Sequence, residues 1–207
     1  MVHYKLIYFD ARGLAEVARQ LFHLADVQYE DCRVGFDEFQ KLKPTLPAGH
    51  VPILYVDGFE ISQSATIWRY LARKFGLAGK TPEEEASADS IADLFRDYLF
   101  SFRQLSSATF FGKTEEEIQK IRAEVVIPAT EIYYTALNKV LAKSKSGFLV
   151  GDSLTWADLI VADNLTSATN LKLFDGEKQK ALKSFHEKIL NYPKLKAYFE
   201  NRKYTVV

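Results

Sequence analysis

Cysteine is nearly absent: Cys32 is the single one in 207 residues. With no second thiol, an internal disulfide, a CxxC redox pair and a Cys-rich zinc site are all excluded. Net charge is absent too, with 27 Lys and Arg set against 27 Asp and Glu. No overall field therefore draws the molecule to nucleic acid or to an anionic membrane. Long apolar runs are missing as well. The longest stretch free of Asp, Glu, Lys and Arg runs from Pro44 to Val56, and it holds three prolines and His50, which disqualifies it as a membrane span. Lys5, Asp10, Arg12, Glu16 and Arg19 interrupt the first turns of chain and exclude a secretory apolar core there. The histidines His3, His23, His50 and His186 show no ligand spacing, and no GxSxG, P-loop or GxGxxG stands between a strand and a helix. A metal centre, a nucleotide site and a serine hydrolase fall away. What is present is a chain 47% hydrophobic, enough to bury a core. The expectation is a cytoplasmic globular protein of one large domain or two small ones.

The first 76 residues differ from the rest. Tyr4 to Phe9 is a short β-type run. Gly13 then opens a helical pattern whose apolar face is Leu14, Val17, Ala18, Leu21 and Ala25. Val27 to Val34 returns to strand chemistry, and a strand–helix–strand unit with short links implies parallel strands. A loop rich in Lys and Pro follows. Val51 to Val56 and Phe59 to Ile61 flank Asp57-Gly58, a type I′ hairpin signal. Helical pattern resumes at Ser64, with Trp68, Leu71, Ala72 and Phe75 on one face. The order βαβ, then ββα, is the thioredoxin-like arrangement, which gives an α/β N-terminal domain over residues 1–76. Gly76, Gly79 and Pro82 mark a linker over 77–82.

Residues 83–207 show no strand pattern and read as an all-α helical bundle. Thr81 to Glu84, Thr114 to Glu117 and Thr155 to Asp158 have the spacing of capping boxes, the third flanked by Leu154 and Leu159 as a hydrophobic staple. The first bundle helix carries an apolar stripe of Ala88, Ile91, Ala92, Phe95, Tyr98, Leu99 and Phe102. The second is interrupted by Pro128, and two shorter helices span Glu177 to Leu190 and Pro193 to Asn201.

Three features of the first domain bear on chemistry. Tyr8 ends the first strand just before a helix, where ligands bind in open α/β sheets. Its phenol either fills the core or donates a hydrogen bond to an anion such as a thiolate. Val51-Pro52 opens the third strand, where a proline cannot donate to the ladder. The bond is either an ordinary trans one or, as in thioredoxin-like domains, cis, which turns the preceding backbone outward to pair with a peptide. Ile61 to Ser64 precede a helix whose free N–H groups and positive dipole end favour an anion. The same serines also suit a plain N-cap. Cys32, mid-strand, reads as an inert buried thiol.

Taken together, Tyr8-Phe9, Arg12-Gly13, Ala15-Glu16, Val51 to Leu54, Gln63-Ser64 and Ser153 to Asp158 resemble the cytosolic glutathione transferases. The likeness is to the sigma class and the related nematode group. It covers the chain from Tyr4 to the C-terminal helix. It implies a glutathione-binding N-terminal domain, a helical C-terminal domain and a two-fold homodimer. By that resemblance Tyr8 stabilises the glutathione thiolate and Val51, ahead of Pro52, pairs its backbone with the cysteinyl unit. Gln63 and Ser64 hold the γ-glutamyl carboxylate, and Lys43 approaches the glycyl carboxylate. Asp97 takes the γ-glutamyl ammonium of the partner subunit's glutathione. Two positions depart from the sigma pattern. Leu14 stands where an arginine is usual, and Phe39, in the glutathione site, stands where a tryptophan would donate an indole N–H. Leu14, Phe110, Phe111 and Tyr204 are expected to line the second-substrate pocket.

The activity implied is conjugation of the thiolate to hydrophobic electrophiles, with glutathione as co-substrate. A glutathione-dependent isomerase or peroxidase would use the same first site. A carrier of hydrophobic ligands or haem on this fold is the alternative, and it has no need of Tyr8.

Overall fold

The computed structural model describes residues 2–207. The chain divides into two compact units: residues up to Ala78 together with Leu190–Thr205, and Gly79–Ile189.

In the first unit, β1 (Tyr4–Phe9), β2 (Glu30–Val34), β3 (Ile53–Val56) and β4 (Phe59–Ser62) form one sheet in the order β2-β1-β3-β4. β1 and β2 are parallel, while β3 runs antiparallel to both β1 and β4. Alternation along β1 sends side chains to opposite faces. Ile7 joins Val34, Phe39, Leu46 and Ile53 in one core cluster. Tyr4, on the other face, meets Phe22 of α1 (Glu16–Leu24) edge-on at 5.2 Å and Phe75 at 6.2 Å. Asp57 and Gly58 have φ of 49° and 86°, the left-handed pair that the hairpin turn requires.

The structure departs from the sequence reading in several places. β2 begins only at Glu30, and the segment expected to be a loop contains α2 (Phe36–Leu42) and a 3-10 turn at Lys43–Thr45. Phe39 on α2 is one of the core side chains, so burying that ring gives the short helix its reason to form. Cys32 is only partly buried against the same cluster. Helix α1 is buried nearly all round, including Glu16, Arg19 and Gln20, because the C-terminal helix α9 (Pro193–Asn201) packs against it. Glu16 accepts from Tyr198 Oη at 2.9 Å and Arg202 Nη1 at 2.7 Å. Arg19 donates to the Ala11 carbonyl at 2.6 Å and to Asp31 at 3.2 Å. Burial, reinforced by Glu16, pushes the Tyr198 phenol up. It stays neutral and donates.

The second unit is helical. It contains α4 (Pro82–Phe110), α5 (Glu115–Ile121), a π-helical turn (Arg122–Val126), α6 (Ile127–Leu141), α7 (Trp156–Asn170) and α8 (Lys180–Leu190). No strand occurs in it among the described residues. The π turn sits directly ahead of Pro128 in the first turn of α6, and one extra residue per turn accommodates a ring that lacks an N–H. α7 is buried from Trp156 to Leu165 without interruption, which marks it as the central helix.

The three capping motifs differ. Thr114 and Glu117 complete a reciprocal box. At Thr81 only half forms: its hydroxyl accepts from Glu84 N at 3.2 Å, while the Glu84 carboxylate turns to Lys80 N at 2.7 Å. At α7, Asp158 accepts from Thr155 N at 2.8 Å and Thr155 Oγ1 at 3.0 Å, and also from Leu149 N at 2.8 Å. No helix among the described residues is long and apolar enough to cross a membrane.

Candidate active site

All three sequence features belong to the first unit: β3, which follows Val51-Pro52, pairs with β1, and β4, which leads to Ser64, pairs with β3. Tyr8 lies in the last turn of the strand, half-buried, its ring edge-on to Phe9 at 5.5 Å. The chain then bends through Arg12 into a 3-10 turn at Gly13–Ala15. There the Leu14 N–H donates to Tyr8 Oη at 3.1 Å. A phenol oxygen that accepts a hydrogen bond is a better O–H donor, because the two bonds polarise each other. The Tyr8 hydroxyl is thus held by a backbone N–H.

Gly13 makes this approach possible. Its φ is +42°, and a Cβ added there would lie 2.6 Å from Tyr8 Oη and 2.9 Å from Cε1. Gly13→Ala is therefore expected to displace the Tyr8 ring. It should also cost about 1–2 kcal/mol for the left-handed backbone. Urea denaturation measures the cost, and a crystal structure of the variant would show the ring moved.

Helix α3 (Ser64–Lys74) begins at Gln63, whose φ of 70° and ψ of 121° are strained for a residue with a Cβ. Gln63 is exposed, and its side chain makes no capping bond to the helix. The first-turn N–H groups keep the positive end of the dipole directed outward, which suits a carboxylate. Ser64 adds a half-buried hydroxyl at the first helical position. The Val51–Pro52 peptide is cis, with Pro52 buried and Val51 packed in part against the Ile7 cluster. Lys43 is exposed at the start of its 3-10 turn.

The other expected residues are divided between the two units. Phe39 is committed to the core, 4.9 Å edge-on from Phe9. Leu14 is half-buried, and Tyr204 is exposed on the C-terminal segment of the first unit. In the helical unit Asp97 is exposed on α4, on the polar side of the buried stripe. Phe110 and Phe111 end that helix, exposed and edge-on to each other at 5.2 Å. Among the described residues no group of three or more His, Cys, Asp or Glu stands together as a metal site.

Sequence reasoning missed Trp68. Placed on the apolar face of α3, it also donates its indole Nε1–H to the Leu14 carbonyl at 3.1 Å. The available signal was chemical: a buried tryptophan nearly always needs a partner for its N–H.

Comparison with known proteins agrees with this architecture. Residues 4–73 match the glutathione S-transferase N-terminal domain, and residues 101–202 match the C-terminal domain. Glutathione S-transferase 4 of Caenorhabditis elegans is 56% identical over 207 residues, covering all of both chains. Among solved structures, a Nu-class enzyme from Haemonchus contortus superposes with a TM-score of 0.88 at 44% identity, covering 100% of each chain. Monomeric Na-GST-3 from the hookworm Necator americanus superposes with a TM-score of 0.88 at 43% identity, covering 98% of each. Domain matches in both units and identity along the whole length lead to one conclusion: the chain belongs to the glutathione S-transferase family of enzymes, in company with its nematode members.

Proposed function

We propose that the protein conjugates the glutathione thiolate to hydrophobic electrophiles, with Tyr8 stabilising the thiolate. The observation that carries this reading is the hydrogen bond from Leu14 N to Tyr8 Oη. It orients a phenol at the end of β1, in the same small unit as the outward-facing start of α3. A free thiol with a pKa near 8.5 is only a few per cent ionised at pH 7. Making thiolate the major species requires lowering that pKa by about two units, or roughly 2.7 kcal/mol. One aimed hydroxyl and a helix N-terminus can supply that much. The nucleophile then attacks from the bound tripeptide, and the protein forms no covalent intermediate.

Val51 ahead of Pro52 is assigned to the cysteinyl backbone, Gln63 and Ser64 to the γ-glutamyl carboxylate, and Lys43 to the glycyl carboxylate. Phe39 supports that last region without donating a hydrogen bond. Leu14, Phe110, Phe111 and Tyr204 are the candidate apolar contacts for the electrophile. The cell compartment assigned is the cytoplasm. A glutathione-dependent assay with a generic aryl halide tests the reading, and no turnover above the uncatalysed rate would refute it.

The same reading makes the active form a homodimer in which Asp97 binds the γ-glutamyl ammonium held by the other subunit. A two-fold interface is isologous, so two equivalent sites form together. Asp97→Ala is expected to weaken glutathione binding by on the order of 1–3 kcal/mol, the penalty for an unpaired charge, and to leave dimerisation intact. Calorimetry and light scattering on the same sample check both. Unchanged affinity in an intact dimer would return Asp97 to the role of a solvated surface charge.

A further inference from the structure

Residue 14 is held from both sides. Its N–H donates to Tyr8 Oη at 3.1 Å, and its carbonyl accepts Trp68 Nε1–H at 3.1 Å. The turn that carries it has little rigidity of its own. It is three residues long, starts at a glycine with positive φ and is closed by a long Ala15 N to Arg12 O bond of 3.3 Å. Trp68, by contrast, is 3% exposed in the middle of an eleven-residue helix. The stiffer partner sets the position of the softer one.

We infer that Trp68 is a positioning residue for the reaction: through Leu14 it fixes where the Tyr8 hydroxyl stands. The inference rests on the reading of Tyr8 as the thiolate donor and extends it to a buried residue of α3. It also gives α3 a second task. The helix that turns its N-terminus to a carboxylate at Gln63 and Ser64 anchors, about one turn further on, the loop that presents the phenol. Carboxylate binding and thiolate stabilisation are thereby referred to one rigid element. Hydrogen-bond strength falls steeply with misalignment, so a loosened Leu14 would weaken stabilisation of the thiolate with little effect on affinity for the tripeptide.

The test is the pH profile of kcat/KM for aryl halide conjugation in the wild type, Trp68→Phe, Tyr8→Phe and the double variant. Trp68→Phe keeps an aromatic ring and removes the N–H. Its apparent thiol pKa is expected to rise by about half a unit to one unit, a roughly 1.5- to threefold loss at pH 7 that is recovered near pH 9. Glutathione affinity by calorimetry should stay within about twofold, since the carboxylate contacts are untouched. In the Tyr8→Phe background the same substitution should shift the profile no further, because contacts acting in series do not add.

A purely packing role for Trp68 predicts a lower rate at every pH with an unmoved pKa. An unshifted profile in Trp68→Phe beside a shifted one in Tyr8→Phe would overturn the tether alone. An unshifted profile in Tyr8→Phe would overturn the thiolate reading and the tether with it. If Trp68→Phe folds poorly, benzothienylalanine at position 68 preserves the bicyclic shape without the N–H and carries the same expectations.

Discussion

Tyr8→Phe is expected to lower turnover at pH 7 by about 20- to 100-fold while leaving glutathione affinity within a few fold. The lower figure follows from ionisation alone. Raising a bound thiol from a pKa of about 6.5 back to about 8.5 takes the thiolate fraction at pH 7 from roughly three-quarters to about 3%. The upper figure adds loss of the hydroxyl's help to the attacking sulfur, on the scale measured for removing one donor aimed at a developing charge. Because the hydroxyl acts on the charged form of sulfur, the deficit should appear in kcat more than in ground-state binding. The pH profile should move with it. The apparent pKa rises by about two units, so the part of the deficit due to ionisation is largely recovered near pH 9. The substitution also leaves the Leu14 N–H without the phenol oxygen it now reaches, a smaller structural cost of about 1 kcal/mol. Turnover within twofold of the wild type at pH 7 would remove Tyr8 from the mechanism.

The largest effect on stability is expected at Asp158, in the helical unit. Its carboxylate is fully buried and accepts from two backbone N–H groups, Leu149 and Thr155, and from the Thr155 hydroxyl. It ties the start of the central helix α7 to the loop before it. Asp158→Ala would leave both backbone donors buried and unpaired. At about 1–3 kcal/mol each, offset in part by no longer burying a charge, the net loss should be roughly 2–4 kcal/mol at pH 7.

Burial pushes the Asp158 carboxyl up to about 6, against the lowering effect of its hydrogen bonds and of Lys188. The folded value lies above the unfolded one. The stability linked to its protonation is therefore complete below about pH 4 and lost as pH rises through about 6. The difference in unfolding free energy between the wild type and Asp158→Ala should accordingly change between pH 4 and pH 7 in the wild type's favour on the acid side. Urea titrations of both proteins at a series of pH values check size and sign together. A difference under 1 kcal/mol at pH 7 would show that the loop does not depend on this carboxylate.

Much of the fold was legible because it is written in local patterns. The βαβ-ββα order follows from runs of β-branched and aromatic residues, and Asp57-Gly58 and the Thr155 motif announce their own backbone geometry. Those signals lie within a few residues of what they control, so no tertiary knowledge is needed to read them. Helix α2 was not legible. Its seven residues, Phe36–Leu42, are too short to show a period, and it exists because Phe39 reaches a cluster contributed by three strands and the Leu46 segment.

The candidate site divides the same way. Tyr8, Val51-Pro52, Gln63 and Ser64 were visible as strand ends and a helix start, positions whose chemistry is set by neighbouring backbone. The burial of Glu16 and Arg19 was not, because charges on a helix read as solvated until another helix covers them. Here the cover is α9, which supplies Tyr198 and lies close to two hundred residues along the chain. The sequence alone thus determined the family, the two-part architecture and the residue type at each expected contact. Only the tertiary structure decided that Gly13 makes room for the phenol and that Leu14 is gripped by Trp68 from across the unit. Such contacts depend on where separate elements come to rest, and local patterns carry no record of that.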